Sequence, residues 1–136
     1  MSANCIFCKI VKGAIPSMKL AETELSYAFL DIGPIARGHA LIIPKHHSEK
    51  MHELPDEYLR DILPIAKKIA LASGAENYNI LQNNGRIAHQ EVPHVHFHYI
   101  PKPSASDSEG LGVGWPAQAM DKDELEKIYE EYKQKL

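Results

Sequence analysis

The chain has 136 residues and a formal net charge of −3, with 44% hydrophobic and 24% charged residues. That length fits one domain burying roughly 65–70% of its unfolded surface, and is too short for an α/β barrel or a two-domain dehydrogenase. The near-neutral charge argues against a duplex nucleic-acid partner. No run approaches the ~18 apolar residues of a membrane span, and MSANCIFCKIVKG has no apolar core behind a basic head, so neither a membrane partner nor a secretory signal is expected. Cys5 and Cys8 are the two cysteines. Without a signal they point to a reducing compartment, expected to be the cytoplasm with the nucleus as a second location.

Residues 5–12 read as one or two helical turns, broken by Gly13 and Pro16. Residues 18–22 and 25–31 read as two strands of a hairpin around Thr23-Glu24, and 32–38 as a loop. Residues 39–45 have a continuous apolar centre, the pattern of a strand buried on both faces. Tyr58, Leu59, Ile62, Leu63, Ile65, Ala66, Ile69 and Ala70 recur at helical spacing over 55–73, with Pro64 expected to kink the helix and Gly74 to stop it. Residues 77–85 read as a strand ending in a turn. Residues 94–101 alternate strictly, placing His94, His96, His98 and Ile100 on one face and Val95, Phe97 and Tyr99 on the other. Residues 102–114 form an expected loop rich in Ser, Pro and Gly. In the segment 115–136, Asp121 and Glu124 are spaced as a capping pair ahead of a stripe of Leu125, Ile128, Tyr129, Tyr132 and Leu136. Packing of that stripe on the core is the expected role. The whole, 1–136, reads as a single α+β domain with a mostly antiparallel sheet.

His94-Val95-His96-Phe97-His98 carries the strongest chemical signal. On a straight strand rising about 3.3 Å per residue, the outer two histidines stand roughly 13 Å apart, too far to share one zinc. Adjacent members such as His94 and His96 could share one, but the geometry favours divided roles on a polar cleft floor. Neutral imidazole is a nucleophile; protonated, it donates to phosphoryl oxygens and leaving groups. Neither a nucleophile elbow nor a P-loop pattern occurs. Cys5-Ile6-Phe7-Cys8 reads as half of a metal site, a redox pair or a buried apolar pair. A structural zinc needs two further ligands, for which His46, His47, His52 and His94 are available. Asp31, at a strand end, suits ribose hydroxyls or an ordinary turn, and Gln82-Asn83-Asn84-Gly85 offers amides near the same sheet end or plain turn chemistry.

Together these motifs resemble the histidine triad (HIT) family, and within it the Hint branch, most of all its fungal members. The likeness rests on His94-Val95-His96-Phe97-His98-Tyr99-Ile100, Cys5-Ile6-Phe7-Cys8-Lys9-Ile10 with Ile15-Pro16, Phe29-Leu30-Asp31-Ile32, His39 to Lys45, and Gly114-Trp115-Pro116, and covers residues 5 to about 117. It implies a five-stranded antiparallel sheet with two main helices, and a homodimer whose sheets join. It implies hydrolysis of purine nucleoside phosphoramidates, chiefly adenosine 5′-monophosphoramidate and aminoacyl or lysyl adenylates, to AMP and an amine. By matching positions, His96 would be the nucleophile, with His98, His39 and His94 completing the catalytic set. Asp31 would hold the ribose. Phe7, Ile10, Phe29 and Ile32 would line the base pocket, with Asn83, Gln90 and Val92 near the phosphate. Trp115 would reach the substrate end of the partner's cleft. Cys5, Cys8, His47 and His94 would hold a structural zinc that the chemical step does not need. Two departures stand out: Glu91 replaces the serine often found three residues before the first triad histidine, and 103–114 is an insertion. Other readings are a dinucleoside polyphosphate hydrolase of the Fhit type, a metal-dependent hydrolase, and a nucleotide-binding scaffold.

Overall fold

A computed structural model describes residues 3–102 and 114–136. Strands β1 (Lys19–Glu22), β2 (Ser26–Leu30), β3 (Ala40–Pro44), β4 (Tyr78–Gln82) and β5 (Phe97–Pro101) form one sheet in the order β1-β2-β3-β5-β4, with every neighbouring pair antiparallel. Helix α1 is Ile6–Val11, α2 is Asp56–Ser73 and α3 is Lys122–Lys135. The α+β architecture is the one expected from the sequence. No helix among the described residues is long and apolar enough to cross a membrane.

The period of two in the strands divides the core. Ala28, Ala40, Ile42, Val95 and Tyr99 pack on one face against Leu54, Ile62, Ile65 and Ala66 of α2 and its approach. Tyr27, Phe29, Leu41 and Ile43 pack on the other against Cys5, Phe7, Cys8 and Ile10. Every residue of β3 is buried, as a strand between two helical layers must be. The helix α2 continues through Pro64, because Pro64 and Arg60 lie on the exposed face, where water can satisfy the carbonyl the proline leaves unpaired. It ends where Gly74 takes a left-handed conformation (φ 72°).

Two expectations are corrected. The ladder of β5 begins at Phe97, not His94. The Val95 N–H turns away to the Ser48 carbonyl, and the Pro44 carbonyl, at the end of the neighbouring strand, accepts from the His94 ring. The apolar stripe of α3 is not in the core: no α3 residue is buried, and Leu125 and Tyr132 are 55% and 65% exposed. The helix itself begins as expected, with the Asp121 carboxylate accepting the Glu124 N–H at 2.9 Å. The proposed loop lies, from 103 to 113, outside the described residues.

Ile62→Ala should lower unfolding free energy by about 2–5 kcal/mol through loss of contacts at a fully buried site. Leu125→Ala should change it by less than about 0.5 kcal/mol. Urea denaturation of both variants reads the contrast.

Candidate active site

The site is organised by β5 and the segment leading into it. His94 is completely buried. Its Nε2–H donates to the Pro44 carbonyl at 2.8 Å, which leaves Nδ1 as a lone pair. That lone pair faces Cys5 Sγ at 3.3 Å, Cys8 Sγ at 3.6 Å and His47 Nδ1 at 3.1 Å. His47 Nδ1 is 3.4 Å from Cys8 Sγ. All four ligand atoms lie within 4.8 Å of one another, a donor set of thiols and imidazoles fit for a tetrahedral metal ion. The bond to the Pro44 carbonyl fixes the ring's tautomer and orientation, as metal-ligating histidines require. His47, not His46, completes the group; the His46 ring lies tilted against Tyr58 instead. Burial raises the Cys5 thiol above its usual range.

With both nitrogens engaged, His94 cannot share a metal with His96, and it borders neither cavity described below. Its backbone carbonyl accepts the His96 Nδ1–H at 2.7 Å, which makes Nε2 the unprotonated nitrogen of a neutral His96 ring. The Phe7 ring packs edge-to-face with His96, with centroids 5.1 Å apart. Burial pushes His96 down from its ordinary pKa, opposed first by the bond to the His94 carbonyl and then by the charges of Asp31 and Glu91.

A second chain of bonds sets His98. The Ile35 N–H donates to His39 Nδ1 at 3.3 Å, so neutral His39 carries its proton on Nε2. That proton donates to His98 Nδ1 at 2.9 Å, leaving His98 Nε2–H as a donor without a partner among the described residues. Asp31 Oδ2 is 3.7 Å from His39 Nε2, and its other oxygen accepts the Gly33 N–H at 2.8 Å. Asp31, His39 and His98 also lie close enough to contact one cation, but their hydrogen bonds already account for the arrangement. Burial lowers His39 and takes His98 down to about 4.

Two cavities meet at these rings. The inner one, about 250 Å³, has an apolar wall that includes Phe7, Ile10, Phe29, Leu41 and Val92, with Ile32 at its exposed rim. The outer one, about 510 Å³, is bordered by His39, Asn83, His89 and Trp115. Asp31, Glu91, His96 and His98 border both. Trp115, 75% exposed, stands at the mouth of its own chain's outer cavity.

Gln90, expected near the phosphate, borders neither of these two cavities. Its Oε1 accepts the Gly85 N–H at 2.7 Å, and its Nε2 donates to the Glu49 and Val92 carbonyls at 2.6 and 3.1 Å, so its side-chain amide ties the loop together. The polar cleft floor is likewise narrower than expected, with His96 and His98 but not His94. His89 escaped the sequence reading. It lies at φ 68° in the left-handed region, unusual for a residue with a side chain, and no local pattern marks that conformation in advance.

The depressed pKa of His98 has a definite sign. Between pH 6.5 and about 4 the unfolded chain binds the proton and the folded chain does not. This contribution to stability is present above pH 6.5 and lost as pH falls towards 4. The urea midpoint of the native chain should therefore fall more steeply over that window than that of His98→Gln. Parallel curves would contradict the burial of a neutral ring.

The HIT domain family matches residues 12–105. The protein named adenosine 5′-monophosphoramidase hnt1 of Schizosaccharomyces pombe is 62% identical over 133 residues, 98% of each chain. The crystal structure of the histidine triad nucleotide-binding protein from Candida albicans has a TM-score of 0.90 at 56% identity, covering 97% of this chain and 96% of that one. A zinc-bound histidine triad family protein from Mycobacterium smegmatis has a TM-score of 0.72 at 35% identity, over 76% of this chain and 78% of that one. Family match, sequence identity over the full length and shared fold agree, and the chain belongs to the histidine triad (HIT) family, on its Hint branch.

Proposed function

We propose that this chain is an adenosine 5′-monophosphoramidase, a hydrolase that cleaves the P–N bond of AMP–amine conjugates through a nucleotidyl-histidine formed on His96. The observation that carries the reading is the His96 Nδ1–H bond to the His94 carbonyl, which aims protonation at one nitrogen and leaves the other nucleophilic. The full-length likeness to a protein named for this activity supports the substrate class.

The adenine sits in the inner cavity between apolar side chains, and Asp31, at the junction, takes the ribose hydroxyls. This brings the phosphorus to His96. Nε2 attacks it, the P–N bond breaks, and the amine leaves with a proton taken from solvent in the outer cavity, which is returned to solvent when the water of the second step loses one. His98 Nε2–H donates to a non-bridging phosphoryl oxygen, with His39 behind it holding the tautomer. Water then attacks the phosphorus from the outer cavity, releasing AMP and restoring neutral His96.

A zinc ion at Cys5, Cys8, His47 and His94 is part of the same proposal, as is action as a homodimer. Four protein ligands leave no open position, so the metal would supply rigidity alone, fastening α1 to the β3 and β5 ends.

His96→Ala should reduce turnover of adenosine 5′-monophosphoramidate by about 10³-fold or more while AMP binding by calorimetry persists. Activity within tenfold of the native rate would sink the covalent route. Chelation should lower the melting temperature before it changes the initial rate, and elemental analysis should find about one zinc per chain. Immediate loss of turnover by a still-folded chain would point to catalytic metal instead.

A further inference from the structure

The proposed mechanism uses Asp31, His96, His98 and His39 but leaves Glu91 without a task. Glu91 is exposed and borders both cavities, beside the position where the scissile bond must lie if adenosine fills the inner one. Among the described residues its carboxylate makes no hydrogen bond or ion pair. Asp31, the other carboxylate at the junction, is already engaged, through Gly33 on one oxygen and near His39 on the other.

The charge of this junction is unusual for a site that handles phosphate. Such sites commonly meet the phosphoryl group with Arg or Lys. Neither cavity has a Lys or Arg among its described lining residues. His39 and His98 are held towards their neutral forms by burial. Two carboxylates therefore face a substrate that brings a further negative charge, with no Lys or Arg among the described lining residues to offset them. Like charges so placed repel, and the repulsion is felt most strongly by a leaving group that is itself anionic. A leaving group with a positive charge reverses the sign. Such a group, extending from the phosphorus into the outer cavity, passes Glu91 and ends near the exposed face of the Trp115 ring, a surface that attracts ammonium groups.

Resting on the phosphoramidase reading, we infer that Glu91 is the residue that reads leaving-group charge, making the outer cavity a subsite for amines that carry a second, cationic nitrogen. Asp31 is committed to the ribose end, and Glu91 supplies the discrimination at the amine end.

Three AMP conjugates of matched length test this: one made with a pentane-diamine (cationic end), one with hexylamine (neutral end) and one with aminohexanoate (anionic end). For the native protein, kcat/KM should fall in that order, with about tenfold between the first and the last. In Glu91→Gln the ratio of cationic to anionic conjugate should drop towards one, and in Glu91→Lys it should invert. Added salt should compress the native ratio. The same three conjugates are also measured by calorimetry on the non-hydrolysing His96→Ala chain, with and without Glu91→Gln. A native protein that hydrolyses all three without preference, or a Glu91→Gln ratio equal to the native one, overturns the role of Glu91 while leaving the hydrolase intact. If the native protein cleaves none of them, the hydrolase reading falls, and the calorimetric ratio alone decides the subsite: charge order lost with Glu91→Gln supports it, charge order unchanged or absent rejects it.

Discussion

His94 is the residue on which both centres of this structure depend. A fully buried imidazole is tolerated only if its nitrogens find partners, and here each has one. The bond from Nε2 to Pro44 ties the approach to β5 onto the end of β3. The Nδ1 lone pair closes the thiol–imidazole group that holds α1. Its own carbonyl then orients His96. His94 thus links, through its ring, a cluster of thiols and imidazoles and, through its carbonyl, the proposed nucleophile two residues away.

Burial does chemical work throughout the site. An imidazole in bulk water is partly protonated near neutral pH and has a poor lone pair when it is. Moving His39, His96 and His98 out of water disfavours the charged form in each. The hydrogen bonds decide which nitrogen keeps the remaining proton: the His94 carbonyl for His96, and the Ile35 amide through His39 for His98. A lone pair on His96 and an N–H on His98 are thereby set side by side, with ring centroids 4.9 Å apart, and the described residues bordering the two cavities include no Lys or Arg. Charge balance is left to the substrate, the circumstance that gives Glu91 its importance.

The carboxy-terminal arm follows a different logic from the rest. Its helix is capped and amphipathic, yet its apolar stripe is exposed on the single chain. Amphipathic spacing records only that a face is apolar; it does not say what covers it. The same arm carries Trp115 to the outer cavity, so the arm's first residues bear on the site although its helix packs on no core.

The sequence by itself determined the element order, the buried character of β3, the stop at Gly74 and the opposed faces of 95–101, because these follow from periods of two and 3.6 and from local backbone preferences. It also singled out the histidines and cysteines, since unusual titratable residues at close spacing are visible without coordinates. The family likeness added the pairing of His47 with Cys5, Cys8 and His94, ligands that span 89 positions from Cys5 to His94 and that no local rule joins. Tertiary structure alone decided the rest. It withdrew His94 from the cleft floor, because its ring reaches a strand end 50 residues away. It turned Gln90 inward to three backbone groups of its own loop and of the chain near Glu49. It brought His89 to the outer cavity through a left-handed turn, and it placed Glu91 where two cavities meet. Each of these depends on which way a loop side chain points, and that is set by long-range packing and hydrogen bonding, not by the residues on either side.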